Sequence, residues 1–159
     1  MRELLPHAER AGALLKARKE TVAIGESSAG GLISAALLAV PGASAYFLGG
    51  TVLYTRQSWH ALQDFDASVF SGAQPATEAN ALVRARIMRE RFKVTWAIGE
   101  TGAAGPTGGR YGNPAGLACI AVAGTSERST TVRTGSSDRV ENMYAFAAAA
   151  LTLLADVLS

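Results

Sequence analysis

The strongest constraint on the fold is the alternation of short apolar strands with helical segments. Strand patterns at residues 21–25 and 45–54 each precede a helical pattern, and a third, at 94–100, follows a long helix that begins at Thr77 and Glu78. Strands that alternate with helices are typical of a sheet covered by crossover helices. We therefore predict an α/β sandwich with crossover helices packed on the sheet.

The second half of the chain modifies this prediction. The strand patterns at residues 115–123 and 129–135 are separated only by a short turn, which predicts an antiparallel pair. The sheet is therefore predicted to be mixed and mostly parallel. A first helix is predicted over residues 8–19, and a last, alanine-rich helix is predicted to run from an N-cap at 136–138 to about Leu158.

Composition and charge argue against several classes of protein. Hydrophobic residues make up 48% of the 159 residues and charged residues 18%, a balance typical of one compact domain, predicted over 1–159. The net charge is +2, and the arginines of residues 84–91 are spread around a helix, so we expect a mostly solvated helix and no nucleic-acid partner. Charges interrupt the apolar positions of the N-terminal segment, so we predict no membrane association and a cytoplasmic location.

Metal-ligating patterns are weak in this chain. Cys119 is the one cysteine, which makes a disulfide within the chain impossible and predicts a buried packing role. His7 and His60 lie far apart in sequence, without the spacing of metal ligands. We predict no metal site and no cofactor.

Two glycine-rich turns are candidate sites. In "GESSAGG", residues 25–31, a serine can cap the following helix, or the turn can bind an anionic or reactive ligand. Both hold if Ser28 caps the helix while Ser27 points elsewhere. Neither serine fits the hydrolase pattern G-x-S-x-G. The loop "GAAGPTGG", residues 102–109, lacks a nucleotide fingerprint, and both a single phosphate and a merely tight loop stay open.

Seven motifs, in order along the chain, resemble the C-terminal domain family of the competence-and-damage-inducible protein CinA, which includes stand-alone nicotinamide mononucleotide amidohydrolases. They are "GESSAGG", "GASAYF", "GGTVLY", "PATE", "GAAGPTGG", "NPAG" and "SSDR". The first resembles the family's A-E-S-C-T-G-G and the fifth its G-I-A-G-P-x-G-G. The resemblance covers almost the entire chain and implies an α/β/α sandwich that assembles into homo-oligomers.

The reaction that this resemblance implies is hydrolysis of the carboxamide of a small nucleotide-like substrate, nicotinamide mononucleotide. A serine attacks the amide carbon and a lysine acts as its general base. The resemblance implies Ser44 as nucleophile and Ser27 as a supporting hydroxyl, with the reverse assignment open, and Tyr54 beside the nicotinamide ring. The implied contacts to the ribose phosphate come from Thr101, Gly102, Gly105 and Arg139.

One position departs from the family pattern. The family continues after its tyrosine with S-N-x-x-K, whose lysine is the base, whereas this chain has "YTRQSWH", with Trp59 at that place. An indole nitrogen only donates, so it cannot take a proton from serine. His60 could replace the base if its ring turned inward. Two functions therefore stay open: an amidohydrolase, and a catalytically lapsed member that binds a nucleotide-like phosphate ligand as a sensor or partner subunit.

Overall fold

A five-stranded sheet forms the middle layer of the protein. The structure, a computed structural model, describes residues 1–63 and 67–159. The strands are β1 (Val22–Glu26), β2 (Phe47–Val52), β3 (Trp96–Ala103), β4 (Leu117–Ala123) and β5 (Glu127–Arg133). Their order across the sheet is β2-β1-β3-β4-β5.

The sheet is mixed, as the sequence predicts. β1 pairs in parallel with β2 and β3, while β4 is antiparallel to both β3 and β5. Four strands therefore point one way and β4 alone points the other. The hairpin predicted from the last two strand patterns is confirmed, and it closes the sheet on the side opposite β2.

Helices cover both faces of the sheet. They are α1 (Leu5–Arg18), α2 (Leu32–Ala39), α3 (Arg56–Gln63), α4 (Glu78–Phe92) and α5 (Arg139–Leu158). α1, α2 and α5 pack together on one face and α4 lies on the other, which confirms the predicted three-layer α/β/α sandwich. The largest buried cluster lies between the sheet and the α1–α2–α5 layer, where α5 places Phe146 and Leu151 in the core.

α5 has the length and apolar composition of a membrane span, but 44% of its most apolar window is buried inside the domain. A core helix of a globular domain has the same properties. The packing of α5 against α1 and the sheet explains its composition without a bilayer.

Two segments of the chain need comparison with what the sequence predicts for them. The strand predicted over 45–54 is shorter, and its pairing with β1 shifts by one residue where Phe47 and Gly49 face Val22 and Ala23, a bulge at Leu48. The sequence of residues 63–75 predicts an irregular connection; this segment falls partly outside the described residues, and its described part contains a single 3-10 turn, Ala67–Phe70.

The contact between α4 and β3 depends on Gly99. A Cβ at this position would overlap the carbonyl oxygen of Ala81 and lie 2.6 Å from the amide nitrogen of Ala85. Both are backbone atoms of α4, so the helix as a whole would have to move away from the sheet. The absence of a side chain at Gly99 therefore sets how closely α4 lies on the sheet.

We expect Gly99→Ala to lower the free energy of unfolding by about 3 kcal/mol, because an added methyl overpacks this contact. Urea unfolding followed by circular dichroism measures it. Gly109→Ala is the control, since a Cβ there would make only ordinary contacts, 3.6 Å from Ala103 and 3.9 Å from Asn113. Equal stability of the two variants would contradict the close-contact explanation.

Candidate ligand-binding cleft

A cleft of about 800 Å³ opens at the carboxyl ends of β1 and β3. Four residues that the family resemblance implied line it: Ser27, Tyr54, Thr101 and Gly102. The carboxyl edge of the parallel strands is where α/β proteins bind their ligands, because the chain turns away from the sheet there and leaves a crevice. The structure thus brings these four residues together.

The turn that carries Ser27 is held by a buried carboxylate. Glu100, at 0% exposure in β3, accepts hydrogen bonds from the amide groups of Ser27 and Ala29, both at 2.9 Å, and from the hydroxyl of Ser28. These contacts occupy both carboxylate oxygens with donors from the same turn. Ser28 therefore ties the turn to β3, and Ser27 is fixed at the edge of the cleft.

The predicted serine cap of α2 is wrong. α2 begins at Leu32, its N-cap Gly31 has no side chain, and the carboxylate of Glu26 takes the role instead. It accepts the amide groups of Gly31 (2.9 Å), Ile33 (3.1 Å) and Ser34 (2.8 Å), and the Ser34 hydroxyl at 2.6 Å. The physical reason is the turn between β1 and α2, which returns the start of the helix to the end of the strand, where a carboxylate also matches the helix dipole.

Burial raises the pKa of Glu26, while its hydrogen bonds from Ser34 and Ile33 oppose this shift and the charge of Glu100 adds to it. Two carboxyl groups thus lie under the cleft at 0% exposure. One sequence feature could have indicated this role of Glu26: a glutamate ends a strand shortly before a helix whose N-cap residue has no capping side chain.

Arg139 and Tyr54 form the rim of the cleft. The guanidinium donates from Nη1 to the carbonyl oxygen of Gly105 (2.6 Å) and from Nη2 to the hydroxyl of Tyr54 (3.2 Å). Gly105 has φ +112°, and a Cβ there would lie 2.7 Å from the carbonyl oxygen of Ser137. Arg139 and Gly105 are not among the lining residues, but their contacts join the glycine-rich loop to Tyr54.

Thr101 and Gly102 both have structural contacts. The Thr101 hydroxyl accepts the amide of Ala76 at 3.1 Å, which attaches the segment before α4 to β3. A Cβ at Gly102 would lie 2.5 Å from the Leu117 carbonyl oxygen and 2.7 Å from the Ser28 hydroxyl. These contacts explain the residue types without a ligand, so the phosphate contacts implied for them stay predictions.

Ser44 lies away from the cleft of its own chain. It is exposed, in the 3-10 turn Ala43–Ala45 that precedes β2. Because β2 runs parallel to β1, and the Tyr46 carbonyl oxygen accepts the Val22 amide, Ser44 lies at the amino end of β1. Ser27 follows the other end, about 16 Å away along the strand. The structure does not bring the two candidate serines together.

Trp59 and His60 lie on different sides of α3. Trp59 is 6% exposed and packs edge-to-face on Phe70, with ring centroids 5.2 Å apart. The His60 ring is exposed, at the rim of the cleft rather than in its interior. The divergence of neighbouring side chains on a helix accounts for this difference. A role for His60 as base stays a prediction.

A buried cation in the cleft was not predicted. Arg84, expected on a solvated helix, is only 6% exposed and lines the cleft. It donates from Nε to Asn80 Oδ1 (2.8 Å) and from Nη1 to the Leu53 carbonyl oxygen (3.1 Å), and its guanidinium carbon lies 4.9 Å from the ring centroid of Trp59. Burial lowers the pKa of Arg84 to about 10, against the opposing charge of Glu100, so it stays protonated at neutral pH.

The fold is an α/β sandwich with a cleft at the carboxyl edge of its sheet. The chain belongs to the CinA C-terminal domain family, whose model matches residues 5–158. It is 38% identical over 145 residues to a CinA-like protein of Anaeromyxobacter dehalogenans, covering 90% of this chain and 36% of that protein. A CinA-like protein of Desulforapulum autotrophicum is 35% identical over 155 residues, 96% of this chain and 36% of that protein. The chain spans about a third of the length of such curated relatives.

Solved structures share the fold. The competence/damage inducible protein CihA from Agrobacterium tumefaciens has a TM-score of 0.85 at 28% identity, over 98% of this chain and 94% of that one. A CinA superfamily protein from Enterobacter cloacae has a TM-score of 0.88 at 22% identity, over 98% and 92%. The family and the fold that the sequence motifs predict are therefore confirmed.

We expect Glu26→Gln to lower the free energy of unfolding by about 2 kcal/mol. The glutamine NH₂ group would replace one carboxylate oxygen, and as a donor it cannot accept the hydrogen bonds that this oxygen receives. Urea unfolding measures the loss. Glu9→Gln, the same change at an exposed position of α1, is the matched control and should leave stability nearly unchanged. Equal effects would show that Glu26 does not hold the start of α2.

Proposed function

We propose that this chain binds nicotinamide mononucleotide in the cleft and hydrolyses its carboxamide to nicotinic acid mononucleotide and ammonia. One observation carries the proposal: in a member of the CinA family, Ser27, Tyr54, Thr101 and Gly102 line one cleft, with Arg139 at its rim. These residues offer a hydroxyl, an aromatic ring, backbone close to the ligand and a guanidinium. A flat amide with a phosphate requires that combination.

The proposed ligand lies along the cleft with its two ends on different elements. The pyridine ring packs on the exposed aromatic side chain of Tyr54. The phosphate lies near Arg139 and the glycine-rich loop 102–109, where a guanidinium fork and backbone amides suit a phosphate. This orientation directs the carboxamide inward, toward Ser27.

The proposed reaction follows a serine amidase scheme. The serine oxygen attacks the carboxamide carbon and gives up its proton, ammonia leaves with a proton, and water hydrolyses the resulting ester to the acid. A base must remove the serine proton, and positioned proton transfer contributes about 10²–10⁴-fold in rate. Trp59 cannot supply it, so the exposed His60 at the rim is the proposed base and slow turnover is expected.

A second function is binding of the same ligand without turnover. The burial of Trp59 at 6% exposure favours it, because a side chain with no proton acceptor fills the place where the family has its lysine. Such a chain would act as a sensor or as a partner subunit.

The position of Ser44 bears on the oligomeric state of the proposed enzyme. At the far end of β2, Ser44 can reach a cleft only in another copy of the chain. β2 is an edge strand with Leu48 and Val52 each 47% exposed. Antiparallel pairing of two β2 strands about their midpoint sets the partner's Ser44 opposite Thr55, beside Tyr54. We therefore propose a homo-oligomer joined through β2.

Ammonia release and calorimetric binding, both with nicotinamide mononucleotide, separate the two functions. An active enzyme is expected to release ammonia, with a fall of about 10²-fold or more in Ser27→Ala or Ser44→Ala, whichever removes the nucleophile. A lapsed member is expected to bind without turnover and to gain activity in Trp59→Lys. Glu9→Gln is the control for both. The absence of binding and of turnover would contradict the proposed substrate.

Mixing two inactive variants tests whether Ser44 acts across copies. Ser44→Ala keeps an intact cleft, and Arg139→Ala keeps Ser44. If the partner supplies the serine, refolding an equal mixture is expected to restore about a quarter of the wild-type activity, since half of random dimers are mixed and each has one complete site. Failure to restore activity, in a mixture shown to form mixed dimers, would contradict the supply of Ser44 by a partner copy, and a Ser44→Ala variant that is itself fully active would assign the nucleophile to Ser27.

A further inference from the structure

Arg84 is a buried charge with neutral hydrogen-bond partners. Its two hydrogen bonds go to an amide oxygen, Asn80 Oδ1, and to the Leu53 carbonyl oxygen. In residues 1–63 and 67–159, no carboxylate lies within ion-pair distance of it. Arginines as buried as this are usually paired with an acid, because an uncompensated charge inside a protein is costly. The cation therefore suggests a ligand that completes it.

The protein holds this guanidinium in a fixed position. Asn80, itself 3% exposed, donates from Nδ2 to the Ala73 carbonyl oxygen and so presents its Oδ1 to Arg84. The guanidinium carbon lies 4.9 Å from the ring centroid of Trp59 and 6.0 Å from that of Phe70. Immobilisation by an amide, a carbonyl and an indole face reduces the entropy lost when a ligand binds.

Most donors of Arg84 stay available to a ligand. A guanidinium has five N–H groups, and two of them make the bonds to Asn80 and Leu53. Among the described residues, Nη2 has no hydrogen-bond partner. Glu100 attracts the cation at longer range, but its oxygens accept their hydrogen bonds from the turn at Ser27–Ala29.

We propose that Arg84 binds the carboxylate of a flat aromatic acid in the cleft, so that the cleft prefers the acid to the carboxamide. This inference rests on the proposed function and identifies nicotinic acid mononucleotide as the preferred ligand. A carboxylate accepts two parallel N–H groups of a guanidinium. A carboxamide offers a single oxygen and turns its own NH₂ donors toward the cation.

The preference changes both proposed functions. In an active amidohydrolase, Arg84 holds the product after ammonia has left, so the acid is a strong competitive inhibitor. In a lapsed member, the acid is the ligand that the chain detects. Arg84 is a binding residue in both cases, and Arg139 at the rim keeps its separate role toward the phosphate.

Calorimetry with nicotinic acid mononucleotide and nicotinamide mononucleotide tests the inference. The wild-type chain is expected to bind the acid at least about tenfold more tightly, the effect of a charge-assisted hydrogen-bonded pair. Arg84→Met is expected to bring the ratio of the two dissociation constants to about one. Arg86→Met is the matched control: Arg86 lies two residues along α4, exposed and paired with Glu127, and its removal should leave the ratio unchanged.

Each outcome assigns the failure to one proposal. Equal binding of the two nucleotides by the wild-type chain, or an unchanged ratio in Arg84→Met, overturns the inference and leaves the proposed function standing. If neither nucleotide binds, the proposed substrate is wrong, and the affinities for nicotinate and nicotinamide are compared instead. A preference for nicotinate that Arg84→Met removes supports the inference, and the absence of a preference overturns it. If Arg84→Met does not fold, Arg84→Gln replaces it, since glutamine keeps a donor without the charge; an unchanged ratio there overturns the inference.

Discussion

Two buried carboxylates on adjacent parallel strands, Glu26 and Glu100, hold the site together. Glu26, the last residue of β1, accepts hydrogen bonds from the first backbone amides of α2. Glu100 in β3 accepts hydrogen bonds from the backbone amides of the turn that precedes α2. Burial of an acid is costly unless hydrogen bonds satisfy it, and here the otherwise unpaired donors of a turn and a helix start supply those bonds. The donors stabilise the buried acids and the acids satisfy the donors, and the backbone amide of Ser27 is thereby held on Glu100.

Elements with a complete local signal could be predicted from the sequence. α4 carries its own cap, since the Thr77 hydroxyl accepts the amide of Asn80, and α5 likewise begins at Asp138, which accepts the amide of Glu141. The start of α2 could not be placed in this way, because its capping group lies in the preceding strand and reaches the helix only through the tertiary fold. Sequence patterns for helix caps detect residues next to the start of the helix, and Glu26 lies in the preceding strand instead.

The site was predicted in part, for similar reasons. Motif order identified Ser27 and Tyr54, but it has no information on distance, and the parallel direction of β2 separates Ser44 from them. Arg84 was missed because the number of arginines in its segment suggested a solvated helix. Its helical phase gives the better signal: Ala81, Ala85 and Met88 are all buried on the same helix, and a charge within an apolar helix face is a candidate binding group.

The residue types at and around Trp59 affect both ligand binding and proton transfer in the proposed site. The family resemblance places a lysine at this position on α3, whereas here an indole occupies it and the cation Arg84 from α4 lies over its face. The charged group beside this position is thus a guanidinium and not an amine. An amine in a buried site can lose its proton and act as a base, but a guanidinium whose pKa is about 10 stays protonated at neutral pH. Arg84 therefore cannot take the base role that the resemblance gives to the lysine, because a guanidinium that stays protonated has no lone pair to accept the serine proton. In the proposed enzyme that role falls to His60 instead.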